Sequence, residues 1–125
     1  MKLMKAIRLF CLFIMLSTSA GQAGEELYTN VLPDLLCEAN KYFTSCFETS
    51  PQQCSKLMKG FAEQCLNSNQ KFIEKIQAKK DSISKKQIAI RIKIGSCMGE
   101  LYEKKQMHIK VDSKKCFSEK EWNYL

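Results

Sequence analysis

Cys37, Cys46, Cys54, Cys65, Cys97 and Cys116 carry the clearest chemistry in this 125-residue chain. An even set of thiols behind an export leader points to disulfides. Zinc is a poor match, because structural sites want close pairs of soft ligands. No C-x-x-C pair occurs, and His108 is the only histidine. A catalytic thiol would need an activating base, and His108 is the one imidazole that could serve. A general acid–base pair must converge in space. Nothing in the spacing of Glu25, Glu26, Asp34, Glu38, Glu63, Glu74, Asp81, Glu100 and Glu103 forces that. Glu100 and Glu103 share a helical face, and Glu100 with Lys104 is an ordinary supporting pair four residues apart. His108 has no neighbouring aspartate of the kind seen in secreted lipid-cleaving helical enzymes, and no coenzyme-type glycine loop appears. The expectation is therefore no enzyme, no catalytic residue, no metal and no cofactor. All six cysteines are assigned to structural disulfides.

The leader places those cysteines in an oxidising compartment. Lys2, Lys5 and Arg8 precede an apolar run from Leu9 to Leu16, and Gly21 and Ala23 suit a cleavage site after Ala23. The run is far shorter than the roughly 20 residues needed to cross a bilayer. Cys11 lies inside it and leaves with it. Residues 1–23 are thus read as a cleaved signal peptide and 24–125 as one helical domain, periplasmic or secreted, with no stable membrane insertion. A domain of this size buries a modest core, which disulfides would reinforce.

The elements that must position the cysteines read as helices. Leu32, Leu35, Leu36, Ala39, Phe43, Cys46 and Phe47 recur at helical spacing, so a first helix is expected over 31–47 with Asn30 as its cap and Pro33 in its first turn. Glu48-Thr49-Ser50-Pro51 stops it. Ser50 then reads as an N-cap, Pro51 as the first helical residue and Gln53 as the reciprocal capping-box partner. The second helix runs toward Ala78 on the stripe Cys54, Leu57, Met58, Phe61, Cys65, Phe72, Ile73 and Ile76, with a candidate break at Asn67-Ser68-Asn69.

Six cysteines allow fifteen pairings, and sequence alone does not select one. In an antiparallel hairpin Cys46–Cys54 would close near the turn and Cys37–Cys65 farther down, and elimination leaves Cys97–Cys116. The spacing resembles that of twin-cysteine helical hairpins. Those have nine intervening residues in each helix, where this chain has eight and ten. No family is assigned.

Farther on, Lys79 to Lys86 is a charged connector in which Ser82 or Ser84 caps a third helix. Ile88, Ile90, Ile92 and Ile94 alternate as in a strand, and a small hairpin with residues 107–111 is the alternative to a helix. Helix is preferred, because Ile90, Ile94, Cys97 and Leu101 form one stripe. Ile88 and Ile92 would then face a second neighbour, and Gly95 and Gly99 would allow close helix approach. Asp112 or Ser113 opens a short final helix that buries Phe117 and holds Trp122. The fold expectation is all-α: a disulfide-stabilised bundle of three to four helices built on a doubly stapled hairpin.

The surface points to recognition. The chain is formally +7, and loss of the three leader cations leaves +4. Only two arginines occur, Arg8 and Arg91, too few for a phosphate-forking nucleic-acid groove. The expected partner is another protein with an acidic surface, met through Tyr28, Tyr102, Lys104, Lys105 and Trp122. A periplasmic inhibitor or immunity-type protein that blocks a secreted enzyme or toxin is the leading reading. It looks like such proteins in size, leader, helicity and disulfides. The alternatives are an accessory subunit of an envelope or secretion assembly, and a membrane-active or lipid-binding helical protein. Saposin-like folds also carry six cysteines, but with paired cysteines near the chain ends, which this chain lacks.

Overall fold

Pro33 shapes the first helix. It has no N–H to offer Thr29, and its ring would crowd that carbonyl along a regular α-helical path. The computed structural model, which describes residues 27–39 and 41–118, shows how the chain absorbs this. A π-helical turn, Leu27–Val31, leads into an α-helical turn, Leu32–Asp34, and a second π-helical turn, Leu35–Ala39, follows. We treat 27–39 as one composite helix, α1. π-Helical turns of this kind occur mostly as single turns within α-helices.

The chain turns at Lys41 before the short α2, Tyr42–Ser45. The expected unbroken helix over 31–47 is therefore replaced by two pieces, and it starts before Asn30, which lies inside the first turn and caps nothing. The second restart is as the residues dictate. Ser50 Oγ accepts from the Gln53 amide at 3.2 Å and the Ser50 amide donates to Gln53 Oε1 at 3.3 Å. This capping box opens α3, Pro51–Ser68. Asn69 interrupts it, its side-chain amide donating to the Cys65 carbonyl at 2.8 Å, and α4, Gln70–Gln77, follows. Ser82 caps α5, Ile83–Lys105, by accepting from the Lys85 amide at 3.3 Å. A 3-10 turn, Met107–Ile109, and α6, Lys114–Ser118, complete the described chain.

The segment 88–94 is helical, so the hairpin alternative falls. Among the described residues the 107–111 segment instead forms one antiparallel bridge, Lys110 with Phe47, flanked by the Glu48 amide donating to the Ile109 carbonyl at 2.7 Å and the Val111 amide to the Cys46 carbonyl at 2.8 Å.

The core lies between α1, α3 and α5. Leu32, Leu36, Phe43, Phe47, Met58, Phe61, Ile90, Ile94, Met98 and Tyr102 form one buried cluster with the cysteines. At its centre Tyr102 meets Phe43 and Phe47 edge-on, with ring centroids 5.1 and 5.0 Å apart. Such geometry sets ring edges against ring faces and adds to the burial gain. Chain and disulfides thus make a small disulfide-stabilised all-α bundle.

The bonds join different partners from those expected. They are Cys37–Cys54, Cys46–Cys116 and Cys65–Cys97, with Cα separations of 5.7, 5.5 and 5.9 Å. The expected Cys46–Cys54, Cys37–Cys65 and Cys97–Cys116 are all overturned, and with them the doubly stapled hairpin. The break at Lys41 is the cause. It takes Cys46 off the helix that carries Cys37 and hands it to the returning tail, where Cys116 waits. Cys37 closes on Cys54 at the start of α3. Cys65 lies on the part of α3 that α5 covers, so its partner is Cys97.

Candidate functional site

The first turn of α1 lies against the α4–α5 hairpin near its connector, residues 78–82. Leu27 and Tyr28 meet there from α1, Ile73 from α4, and Ile83 and Ile90 from α5. Together they wall a half-open groove of about 410 Å³, with Gln77, Lys86 and Gln87 on its polar side. Lys86 Nζ donates to the Gln77 carbonyl at 2.8 Å. Its charge therefore sits at the carbonyl end of α4, where a cation is favoured. Burial pushes the Tyr28 phenol above its ordinary value, and the nearby Arg91 guanidinium works against that shift. The groove thus offers an apolar floor, one aromatic edge and a cationic rim.

Two other depressions are more polar. One of about 410 Å³ lies between α1, α2 and the start of α3, around Glu38, Lys41, Thr44 and Gln52. One of about 250 Å³ is lined by Thr29, Glu63, Leu66 and Asn67. Among the described residues no group of three or more His, Cys, Asp or Glu side chains stands where it could hold a metal ion.

Charge surrounds the groove unevenly. From Lys75 to Gly99 there are seven cationic side chains and one acid, Asp81. Lys93 Nζ lies over the Phe72 ring, 5.5 Å from its centroid. The positive character of the chain is therefore gathered at this hairpin.

The residues expected to meet a partner are scattered. Tyr28 edges the groove. Tyr102 is fully buried in the aromatic centre and touches no surface, so its assignment as a contact is corrected. It belongs to the stripe Ile90, Ile94, Met98 and Tyr102, four residues apart each time, all buried. That repetition was the available clue. Lys104 and Lys105 are exposed at the far end of α5, where they favour the helix dipole. Lys104 is roughly 27 Å along the axis from Lys86, so it does not join the groove. Trp122 lies outside the described residues, as does the leader. Phe117, expected to be buried, is 59% exposed. Ile88 and Ile92, expected to face a second helix, are exposed among the described residues.

One buried cluster has no counterpart in the sequence reading. Lys110 Nζ and Glu103 Oε2 are 2.7 Å apart, with side chains only 6% and 10% exposed. The Tyr42 hydroxyl donates to the other carboxylate oxygen of Glu103. The ammonium also faces the rings of Phe117, Phe47 and Tyr42, with centroids at 4.6, 5.6 and 5.8 Å. This is a cation cage that the chain fills with its own lysine. It ties the tail to α2 and α5.

No known protein family, no curated protein and no solved structure is detectably similar to this chain.

Proposed function

We propose that this chain is a small exported protein-binding module, acting in the periplasm or outside the cell as an inhibitor or immunity-type protein against a secreted enzyme or toxin. The groove under Tyr28 carries the reading. Three disulfides tie α1 to α3, α3 to α5 and the tail to the segment after α2. A surface held this firmly loses little freedom on binding, so more of the contact energy appears as affinity. The apolar walls supply burial, and the cationic hairpin steers an acidic partner toward them. Three disulfides also suit an oxidising compartment.

The test is capture by the immobilised, oxidised chain from its own periplasm or surrounding fluid, read by mass spectrometry. One acidic protein retained in a one-to-one complex is expected. Tyr28→Ala and Ile73→Ser should each weaken retention roughly tenfold or more, as truncated anchors do. A partner held equally well by both variants would remove the groove from this reading. A captured envelope-assembly component in place of an enzyme or toxin would favour the accessory-subunit alternative.

A further inference from the structure

Helix α5 presents a second surface on the side away from the groove. Ile88 and Ile92 lie one turn apart and are 48% and 52% exposed. Gly95 and Gly99 continue the same stripe and are buried, Gly95 beneath Leu32 of α1. The stripe is thus covered in its C-terminal half and bare in its N-terminal half. Lys85, exposed, stands one turn before Ile88; exposed Arg91 and Lys93 follow on either side of Ile92, Arg91 toward Tyr28 and Lys93 over the Phe72 ring. No acidic side chain occurs between Asp81 and Glu100. Ile90, two residues from each bare isoleucine, lines the groove instead, so the two surfaces occupy different sides of one helix.

The charge beside the isoleucines selects the occupant. Among the described residues both side chains stand exposed near Lys85, Arg91 and Lys93, on a ridge of α5 with no acidic side chain between Asp81 and Glu100. A bilayer interface accepts such a ridge. Two apolar side chains enter the acyl boundary while long cationic stems lie beside them and their heads reach the phosphates. We propose that this face of α5 docks on an anionic phospholipid surface, laterally and reversibly, leaving the Tyr28 groove free for its protein. The inference stands apart from the protein-binding reading, because the assay below contains no partner.

The oxidised chain, as exported, should cosediment with vesicles of phosphatidylcholine mixed with phosphatidylglycerol and not with phosphatidylcholine alone. Added salt should release it, since screening weakens attraction to the charged surface. The double variant Ile88→Ser/Ile92→Ser should lose roughly tenfold or more in partitioning, and Lys85→Glu should reduce it as well. Both sites are exposed, and an unchanged helical spectrum verifies the fold. Tyr28→Ala should bind vesicles as the parent does. The proposal is overturned by absence of binding to the anionic vesicles or by undiminished binding of the isoleucine variant. It is equally overturned if these isoleucines are protected by an acidic protein while vesicles are ignored.

Discussion

Glu103 and Lys110 form a buried ion pair whose separation would harm the fold. Each is buried, and each has the other as its counter-ion. Glu103→Ala would leave an ammonium among three aromatic rings without a carboxylate. Breaking a buried pair from one side costs about 3 kcal/mol or more, and urea unfolding should show it. Glu103→Gln, which keeps an acceptor for Tyr42, should lose less. Tyr102 works in the opposite sense. Its hydroxyl is buried beside Thr49 without reaching good hydrogen-bond geometry. Tyr102→Phe removes that burden and should stabilise the chain by about 1 kcal/mol. Desolvation raises the Tyr102 phenol above its ordinary value, with Thr49 opposing, and Tyr28 is raised as well. The unfolded chain therefore ionises first as the medium becomes alkaline. This contribution is complete below about pH 10 and fades as pH climbs through the folded values. Melting temperature followed from about pH 8 to about pH 11 should fall, and Tyr102→Phe should flatten part of the fall.

Helices set the next level. Gly60 lies mid-way along α3, and a methyl group added there would meet nothing within 4 Å. Gly60→Ala should therefore raise stability by about 0.5–1 kcal/mol, through helix propensity and a less disordered unfolded chain. A drop in melting temperature would mean that α3 needs the glycine for a neighbour not yet seen. What could be read in advance follows the range of the forces. Ser50, Pro51 and Gln53 satisfy one another within a single turn, so the start of α3 was legible. Ser82 and Asn69 acted equally locally. The break at Lys41 was not legible, because Phe43, Cys46 and Phe47 keep helical spacing across it and only the packing of α2 against the tail reveals the turn. On α5 Ile90 and Ile94 are buried as the spacing indicates, and Cys97 and Leu101 pack half-buried against the core. What was missed is the full burial of Met98 and Tyr102, the latter because it meets Phe43 and Phe47, which come from a distant part of the chain. Tyr28 could be noticed as an exposed-looking aromatic, but the groove beneath it required α4 and α5 to be in place.

At the scale of the molecule the disulfides contribute an amount comparable with the net stability of a domain. Residue separations of 17, 32 and 70 close loops of very different size. Loop-closure entropy assigns about 3, about 3.7 and about 4.4 kcal/mol to these bonds. Replacing Cys46 and Cys116 together by serine should thus cost about 1 kcal/mol more than replacing Cys37 and Cys54 together. Two of the three bonds interlock in sequence: Cys46 lies inside the Cys37–Cys54 loop while its partner Cys116 lies beyond it, and Cys65–Cys97 is nested within the Cys46–Cys116 loop. Removing Cys46–Cys116 alone frees the tail after Cys97 while the other two bonds stay in place. Complete reduction removes all three constraints, about 11 kcal/mol if they add. That is comparable with the whole stability of an ordinary domain, 5–15 kcal/mol as a rough range. The reduced chain should therefore lose its cooperative thermal transition and much of its helical circular dichroism. Groove and ridge should fail with it, since both depend on α1, α4 and α5 holding their places. A reduced chain that still melts sharply would show that the aromatic centre around Tyr102 and the Glu103–Lys110 pair hold the bundle by themselves. The disulfides would then be reinforcement, and the rigidity on which the groove reading rests would have another source.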